Sequence, residues 1–174
     1  DRFVSSFYSR KNKGMPGAYY EWSGAEREAF SRFKTPNELA ASLSCGDPDT
    51  RRKAVKAMKS IGHVNSSYWH WFMNEEYFLS RRDDVLFVGT ANSLDKDFIH
   101  LKKILDLPED IELPVDKERR NANPTDIDKR LDDEAIANLK VWYSRDFQFI
   151  ELLKVAGGCD IPMQPCVISR RFRI

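Results

Sequence analysis

The segment from Asp84 to Phe98 constrains the fold of this chain more than any other. Val85, Leu86, Phe87 and Val88 form a continuous apolar run, and Gly89 ends it. A short apolar run that stops at a glycine predicts a strand buried on both faces. Ser93 is placed as the N-cap of the helix that follows. Leu94, Phe98, Leu101 and Leu105 then fall on one helical face. A strand that feeds a helix through a tight turn is half of a βαβ unit, the module by which open parallel sheets hold nucleotides.

The chain has 174 residues, enough for one domain with a core of its own, and the expected organisation is a single domain over residues 1–174. Apolar residues make up 41% and charged residues 32%, and the formal net charge is only +1. That balance gives no argument for a nucleic-acid partner. No apolar run approaches the length of a transmembrane helix. Asp1 opens the chain without a methionine, in what reads as the middle of an element, so the expectation is a fragment or processed product. Cys45, Cys159 and Cys166 leave at least one thiol unpaired, which suits a reducing compartment. Cys159 and Cys166 are spaced to close a small loop but lack the second ligand pair of a zinc site. Asn65, Ser66 and Ser67 form a glycosylation sequon of a kind common by chance.

Along the chain, Arg2 to about Lys11 reads as a helix with Phe3, Val4, Phe7 and Tyr8 on one side, broken by the glycines and proline at 14–17. A short helix is expected from Ala25 to Phe33. Thr35, Pro36 and Glu38 supply a cap, a first-turn proline and a capping-box acid for the next. Asp47 and Pro48 start another, with Ala54, Val55 and Met58 inward and Arg51, Arg52, Lys53, Lys56 and Lys59 outward. Those five cations read as a solvated face, or else as a rim that attracts anions. Residues 62–78 are rich in aromatics and carry His63 and His70. Tyr68, Trp69 and Trp71 are read as core, with an acceptor pocket as the alternative. Residues 108–131 form a long polar connection, a length that marks functional or mobile segments. One long helix is expected from Asp132 to about Lys154, with Ile136, Leu139, Tyr143, Phe147 and Ile150 as its inner stripe. The tail is irregular or a short edge strand. The adjacent acids Glu75/Glu76 and Asp83/Asp84 point apart on any regular element and do not suit a catalytic pair. His100 falls on a polar flank.

Three blocks in order resemble sulfotransferases that use 3′-phosphoadenosine 5′-phosphosulfate (PAPS), in the branch that includes carbohydrate sulfotransferases. Asp1 to Tyr8 resembles the second half of that family's 3′-phosphate motif, with Arg2 on its second arginine and Ser5 on its serine. Val85 to Phe98 resembles the family's strand, glycine turn and helix, but Thr90, Ala91 and Asn92 stand where relatives often place an arginine and a glutamate. Leu113 and Pro114, the basic loop, and the segment from Trp142 to Phe147 resemble the family's closing region. The likeness spans roughly residues 1–153.

The resemblance implies an α/β, helix-rich, P-loop-NTPase-like three-layer fold with a parallel sheet, apparently N-terminally incomplete. It implies a sulfotransferase that moves a sulfuryl group from PAPS to a hydroxyl of a carbohydrate or small metabolite, leaving adenosine 3′,5′-bisphosphate. Ser5, Arg2, Arg119, Arg120 and Lys117 are the expected cofactor-binding residues, because a doubly charged phosphate needs hydroxyl donors, amides and guanidinium forks. No metal is expected. The family's phosphosulfate loop and catalytic base precede the 3′-phosphate motif, so no residue here is assigned as the base. The alternatives are a kinase-like phosphotransferase on the same architecture, or a non-catalytic module that binds a glycan or protein. The expected compartment is the cytoplasm, or the Golgi lumen if a membrane anchor precedes the segment.

Overall fold

The structure, a computed structural model, describes residues 2–14, 20–91, 93–115, 127–157 and 165–169, with side chains as far as 153. The helices are α1 (Arg2–Lys13), α2 (Gly24–Arg32), α3 (Pro36–Ala41), α4 (Pro48–Ser60), α5 (Trp69–Phe72) and α6 (Glu75–Ser80). Strand β1 (Val85–Thr90) follows, then α7 (Leu94–Leu105), α8 (Asp133–Trp142), α9 (Ser144–Gly157) and strand β2 (Pro165–Ser169). The chain divides into two compact units, each built from two stretches of sequence: Asp1–Ser67 with Asn123–Ser144, and Tyr68–Ala122 with Arg145–Ile174.

The first unit is helical, and its helix starts are written locally. Ser23 and Glu26 close a capping box on α2, and Thr35 and Glu38 close another on α3. Asp47 accepts from the amides of Asp49 and Thr50 at the start of α4. Such a cap contributes about 1 kcal/mol. The helices bury one core, in which Phe7, Leu39, Met58, Ile61 and Val64 lose all contact with solvent. Phe7 meets Phe30 edge to face at 5.4 Å, a preferred aromatic geometry. Gly14 is required because a Cβ there would land inside the Trp22 indole, whose Nε1 donates to the Arg10 carbonyl at 3.1 Å.

At the edge of this core lies a buried ion pair. The Arg10 Nε and Nη2 donate to the two carboxylate oxygens of Glu26 at 2.5 and 2.8 Å. Glu26 is 4% exposed and also accepts from the Ser23 amide at 2.8 Å and the Gly62 amide at 3.0 Å. Arg10 donates further to the carbonyls of Tyr20 and Glu21. With every polar atom partnered, hydrogen bonds offset the desolvation penalty that makes most buried salt bridges poor stabilisers.

Residues far along the chain complete the unit. Tyr8 Oη donates to the Asp128 carbonyl at 2.9 Å. Asn37 and Asp132 exchange two hydrogen bonds of 2.8 Å, and Asn138 donates to the Ala40 carbonyl at 2.9 Å. Ala135 and Leu139 of α8 are buried in the core. The single long helix expected from Asp132 breaks at Tyr143, whose hydroxyl donates to the Val64 carbonyl at 2.7 Å. Ile136 and Phe147, assigned to an inner stripe, are 38% and 39% exposed.

The second unit is organised around Phe149. Its ring stacks on Phe72 at 4.8 Å and meets Trp69 at 4.9 Å and Phe78 at 5.2 Å. The Trp69 indole N–H donates to the Arg145 carbonyl at 2.9 Å, and the buried Asp146 carboxylate accepts from the Tyr68 amide at 3.0 Å. Strand β1 pairs antiparallel with β2, from Val85 opposite Ser169 to Thr90 opposite Pro165. This bears on two expectations. The described part of the fold is helix-rich with a two-stranded antiparallel ribbon, and a parallel sheet is not among the described residues. Residues Val85 to Val88 are half-buried rather than buried on both faces. The α7 stripe is also thinner than its periodicity suggests: Leu101 is buried, whereas Leu94 and Leu105 are exposed.

Glu26 gives the first unit a defined acid limit. Hydrogen bonding from Arg10, aided by the Gly62 and Ser23 amides against the opposing effect of burial, lowers its carboxyl from 4.5 to about 2. A carboxylate with a depressed folded-state value stabilises fully above its unfolded value, and that share is lost as pH falls from about 4.5 towards about 2. The share is about 3 kcal/mol. Acid titration followed by circular dichroism is expected to show this limb, and Glu26→Gln is expected to flatten it while costing about 3–5 kcal/mol at neutral pH.

Candidate functional site

Two local arrangements, one in each unit, carry the residues that the sequence singled out. The first is the start of α1. By helix geometry its first amides have no intrahelical acceptor. The first turn contains no acidic residue, whereas α2, α3, α4, α6, α7 and α8 each carry at least one there. Asp1, immediately before, lies outside the described residues. Ser5 is half-buried on this first part of the helix, next to the buried Val4. Arg2 Nη1 donates to the Ser66 carbonyl at 2.8 Å, and its guanidinium carbon lies 5.0 Å from the centre of the Tyr143 ring. Arg2 is therefore held in place by a backbone acceptor and a ring face, a contact type that fixes a guanidinium plane. Lys117, Arg119 and Arg120 lie outside the described residues, as does Cys159.

The second arrangement is the turn from β1 to α7. Ser93 precedes α7, yet its hydroxyl does not cap the helix amides. Instead it donates to Asp97 Oδ2 at 2.6 Å and lies 2.5 Å from the Thr90 hydroxyl. The same Asp97 oxygen accepts the Thr90 amide at 2.6 Å. The acid one turn into the helix thus ties the end of the strand to the start of the helix. Gly89 is crowded: a Cβ there would sit 2.9 Å from the Phe87 ring and 3.2 Å from Asp97 Oδ2. Glycine lets Asp97 close on the strand end. Sequence reading missed this role for Asp97. The spacing Ser93–Asp97, four apart at a helix start, was the available signal.

The other candidates separate cleanly. Trp69 is core, and Tyr68 packs on Phe149 at 5.7 Å, but Trp71 is 77% exposed. His63 and His70 are both exposed, His63 at φ 66°. His100 is exposed with its ring 5.7 Å from Phe87. On α4, Arg52 pairs with Asp49, as does Lys53 at 2.6 Å, and Lys56 pairs with Glu28 at 2.6 Å. Lys53 and Lys56 line a hollow of about 270 Å³ with Arg32, Ser31 and Glu28. Carboxylates already occupy both of those lysines, so the solvated-face reading fits them. Glu75 and Glu76 are exposed in the first turn of α6, and Asp84 pairs with Arg81.

Between α5 and α6 the backbone turns sharply at Met73, with φ 61° and ψ −70°. The Asn74 amide donates to the Phe72 carbonyl at 2.7 Å, which closes a γ-turn of the strained hand. A side chain in this conformation costs about 1–3 kcal/mol.

Among the described residues no buried side-chain nitrogen or oxygen lacks a partner, and no three His, Cys, Asp or Glu side chains converge as a metal site requires. No described helix is long and apolar enough to cross a membrane. Comparisons with protein-family models, with curated proteins and with solved structures find no match.

Removing the Asp97 carboxylate leaves the Thr90 amide and Ser93 hydroxyl without their acceptor. Asp97→Ala is expected to destabilise by about 1–3 kcal/mol and to lower amide-exchange protection in β1 and the first turn of α7. Gly89→Ala is expected to act in the same direction. Unchanged protection in both variants would show that the turn does not depend on this contact.

Proposed function

We propose that the chain carries the 3′-nucleotide-binding portion of a PAPS-dependent sulfotransferase, acting on a hydroxyl of a carbohydrate or small metabolite. The observation that carries this reading is the passage from β1 through Gly89 to α7. It forms where the resemblance sets its strand, glycine turn and helix, with Asp97 holding the turn closed. The start of α1 supports it as well. A half-buried serine and an anchored arginine lie on the first part of a helix whose first turn contains no acidic residue among the described residues.

These residue types fit a ribose 3′-phosphate. The Ser5 hydroxyl would donate to one phosphate oxygen, and the amides of the first turn would face the rest. Arg2, held by Ser66 and Tyr143, would set the rim of the site and contribute charge without having to be ordered on binding. Lys117, Arg119 and Arg120 are the further cations that the resemblance implies, and they lie outside the described residues. When bound, PAPS supplies the activated sulfuryl group that an acceptor oxygen attacks. The residues of this chain bind and orient; none is assigned to remove the acceptor proton. In this reading β1 belongs to a parallel sheet of a three-layer, P-loop-like fold, joined at the edge that β2 leaves open.

Thermal unfolding in the presence of adenosine 3′,5′-bisphosphate, of ATP with magnesium, and of neither ligand tests the reading. Selective stabilisation by the bisphosphate is expected, with Ser5→Ala weakening binding by about 1 kcal/mol. Stabilisation by ATP with magnesium instead would assign a phosphotransferase. No shift with either nucleotide would overturn the nucleotide-binding assignment.

A further inference from the structure

We infer that the hollow lined by α2 and α4 is a docking site for the acidic segment 106–112 of a second copy of this chain, with Ile111 as the apolar anchor. Such self-association is independent of nucleotide binding.

The receiving face is basic. Arg51, Arg52, Lys53, Lys56 and Lys59 of α4 are all exposed, and Asp49 is the one acid of that helix. Arg52, Lys56 and Lys59 are spaced by four and three, which sets them in one line along the helix. Asp49 pairs with Arg52 and Lys53, and Glu28 pairs with Lys56, whereas Arg51 and Lys59 have no carboxylate partner among the described residues. Exposed pairs of this kind contribute little and exchange readily for other acids. The hollow beside them measures about 270 Å³. Its buried lining includes Ala29, Phe33 and Ala57, and Arg32, Lys53 and Lys56 line it from the exposed side. Small-molecule pockets run to about 300–1,000 Å³. A smaller hollow with an apolar floor and three cations suits a single aliphatic side chain flanked by acids.

The chain itself contains that occupant. Residues 104–115 hold four acids and no Lys or Arg, in a chain that has 28 of the two. Asp106, Glu109, Asp110 and Glu112 are exposed, and none has an ion-pair partner among the described residues. Ile111, between two of these acids, is 40% exposed. The segment is held in a set shape. Helix α7 ends at Asp106 in the left-handed conformation, with φ 51°. Lys102 Nζ then donates to the Glu109 carbonyl at 2.8 Å and the Ile111 carbonyl at 3.0 Å. Backbone ordered on both sides of Asp110 lowers the entropic cost of docking. Opposite charge on the two elements steers them together and rejects like-charged partners. Every copy carries both halves, so a second copy is an occupant that is always at hand, and the contact joins two different patches.

The test is analytical ultracentrifugation of the full chain over a range of concentrations. Mass is expected to rise with concentration at about 0.1 M salt and to rise far less at about 1 M, where screening shortens from about 10 Å to about 3 Å. Lys53→Glu with Lys56→Glu is expected to abolish association, and so is Asp110→Lys with Glu112→Lys, since each makes the two patches alike in charge. All four positions are exposed, and circular dichroism is expected to show both double variants folded. Mixing the two double variants is expected to restore association, because each then meets its opposite on the other. Ile111→Ala is expected to weaken wild-type association about tenfold without changing its salt dependence. A wild-type chain that stays monomeric at every concentration would overturn the inference. So would association that survives either charge reversal, or a mixture of the two folded variants that remains monomeric.

Discussion

The Arg10–Glu26 pair is the constraint on which the first unit depends. One carboxylate receives the guanidinium fork, the amide that opens α2 and the amide of Gly62 just after α4. Three parts of the chain are thus fixed to a single group. The same guanidinium reaches the carbonyls before α2, so the connection from α1 is tied at both ends. A pair satisfied this fully specifies geometry more than it adds stability, because a displaced helix would leave a charge buried without a partner. The core behind it is ordinary aliphatic and aromatic packing, and it tolerates imprecision that the pair does not.

The second unit solves a different problem with different means. Its segments are short, and α5 and α6 are too brief to be stable alone. A single aromatic ring, Phe149, gives them a common surface. Asp146, three residues earlier, receives the amide that begins α5. The turn after β1 repeats the principle, with Asp97 receiving an amide from the strand. In both places a carboxylate near the start of a helix organises backbone outside that helix.

What the sequence made legible follows the range of the interaction. Helices α3 and α4 were readable because caps are local: Thr35 with Glu38, and Asp47 ahead of Pro48, state their own boundaries, and Ser23 with Glu26 marks the start of α2 in the same way. The break at Tyr143 was not readable, because apolar spacing continues through it. The cause is a hydrogen bond to Val64, 79 positions away. The strand at Val85–Thr90 was readable, but its partner and direction were not, since pairing is decided by residues 165–169. At the candidate site the residue types were legible and their surroundings were not: nothing local tells that Arg2 finds the Ser66 carbonyl and the Tyr143 ring. The fates of Trp69 and Trp71 had a local clue. Two residues apart on a helix lie about 200° around its axis, so both cannot face one core.

The split composition of the first unit bears on how the chain is made. Its opening helices present a cleft that Ala135 and Leu139 of α8 help to close, with Ile127, Leu131, Trp142 and Tyr143 packed against the same core, and the Asn37–Asp132 clasp forms across 95 positions. At about 5–20 residues per second, the ribosome leaves that cleft open for several seconds while the intervening unit emerges. During that interval the nascent chain presents Phe7, Leu39 and Met58 to whatever binds greasy surfaces.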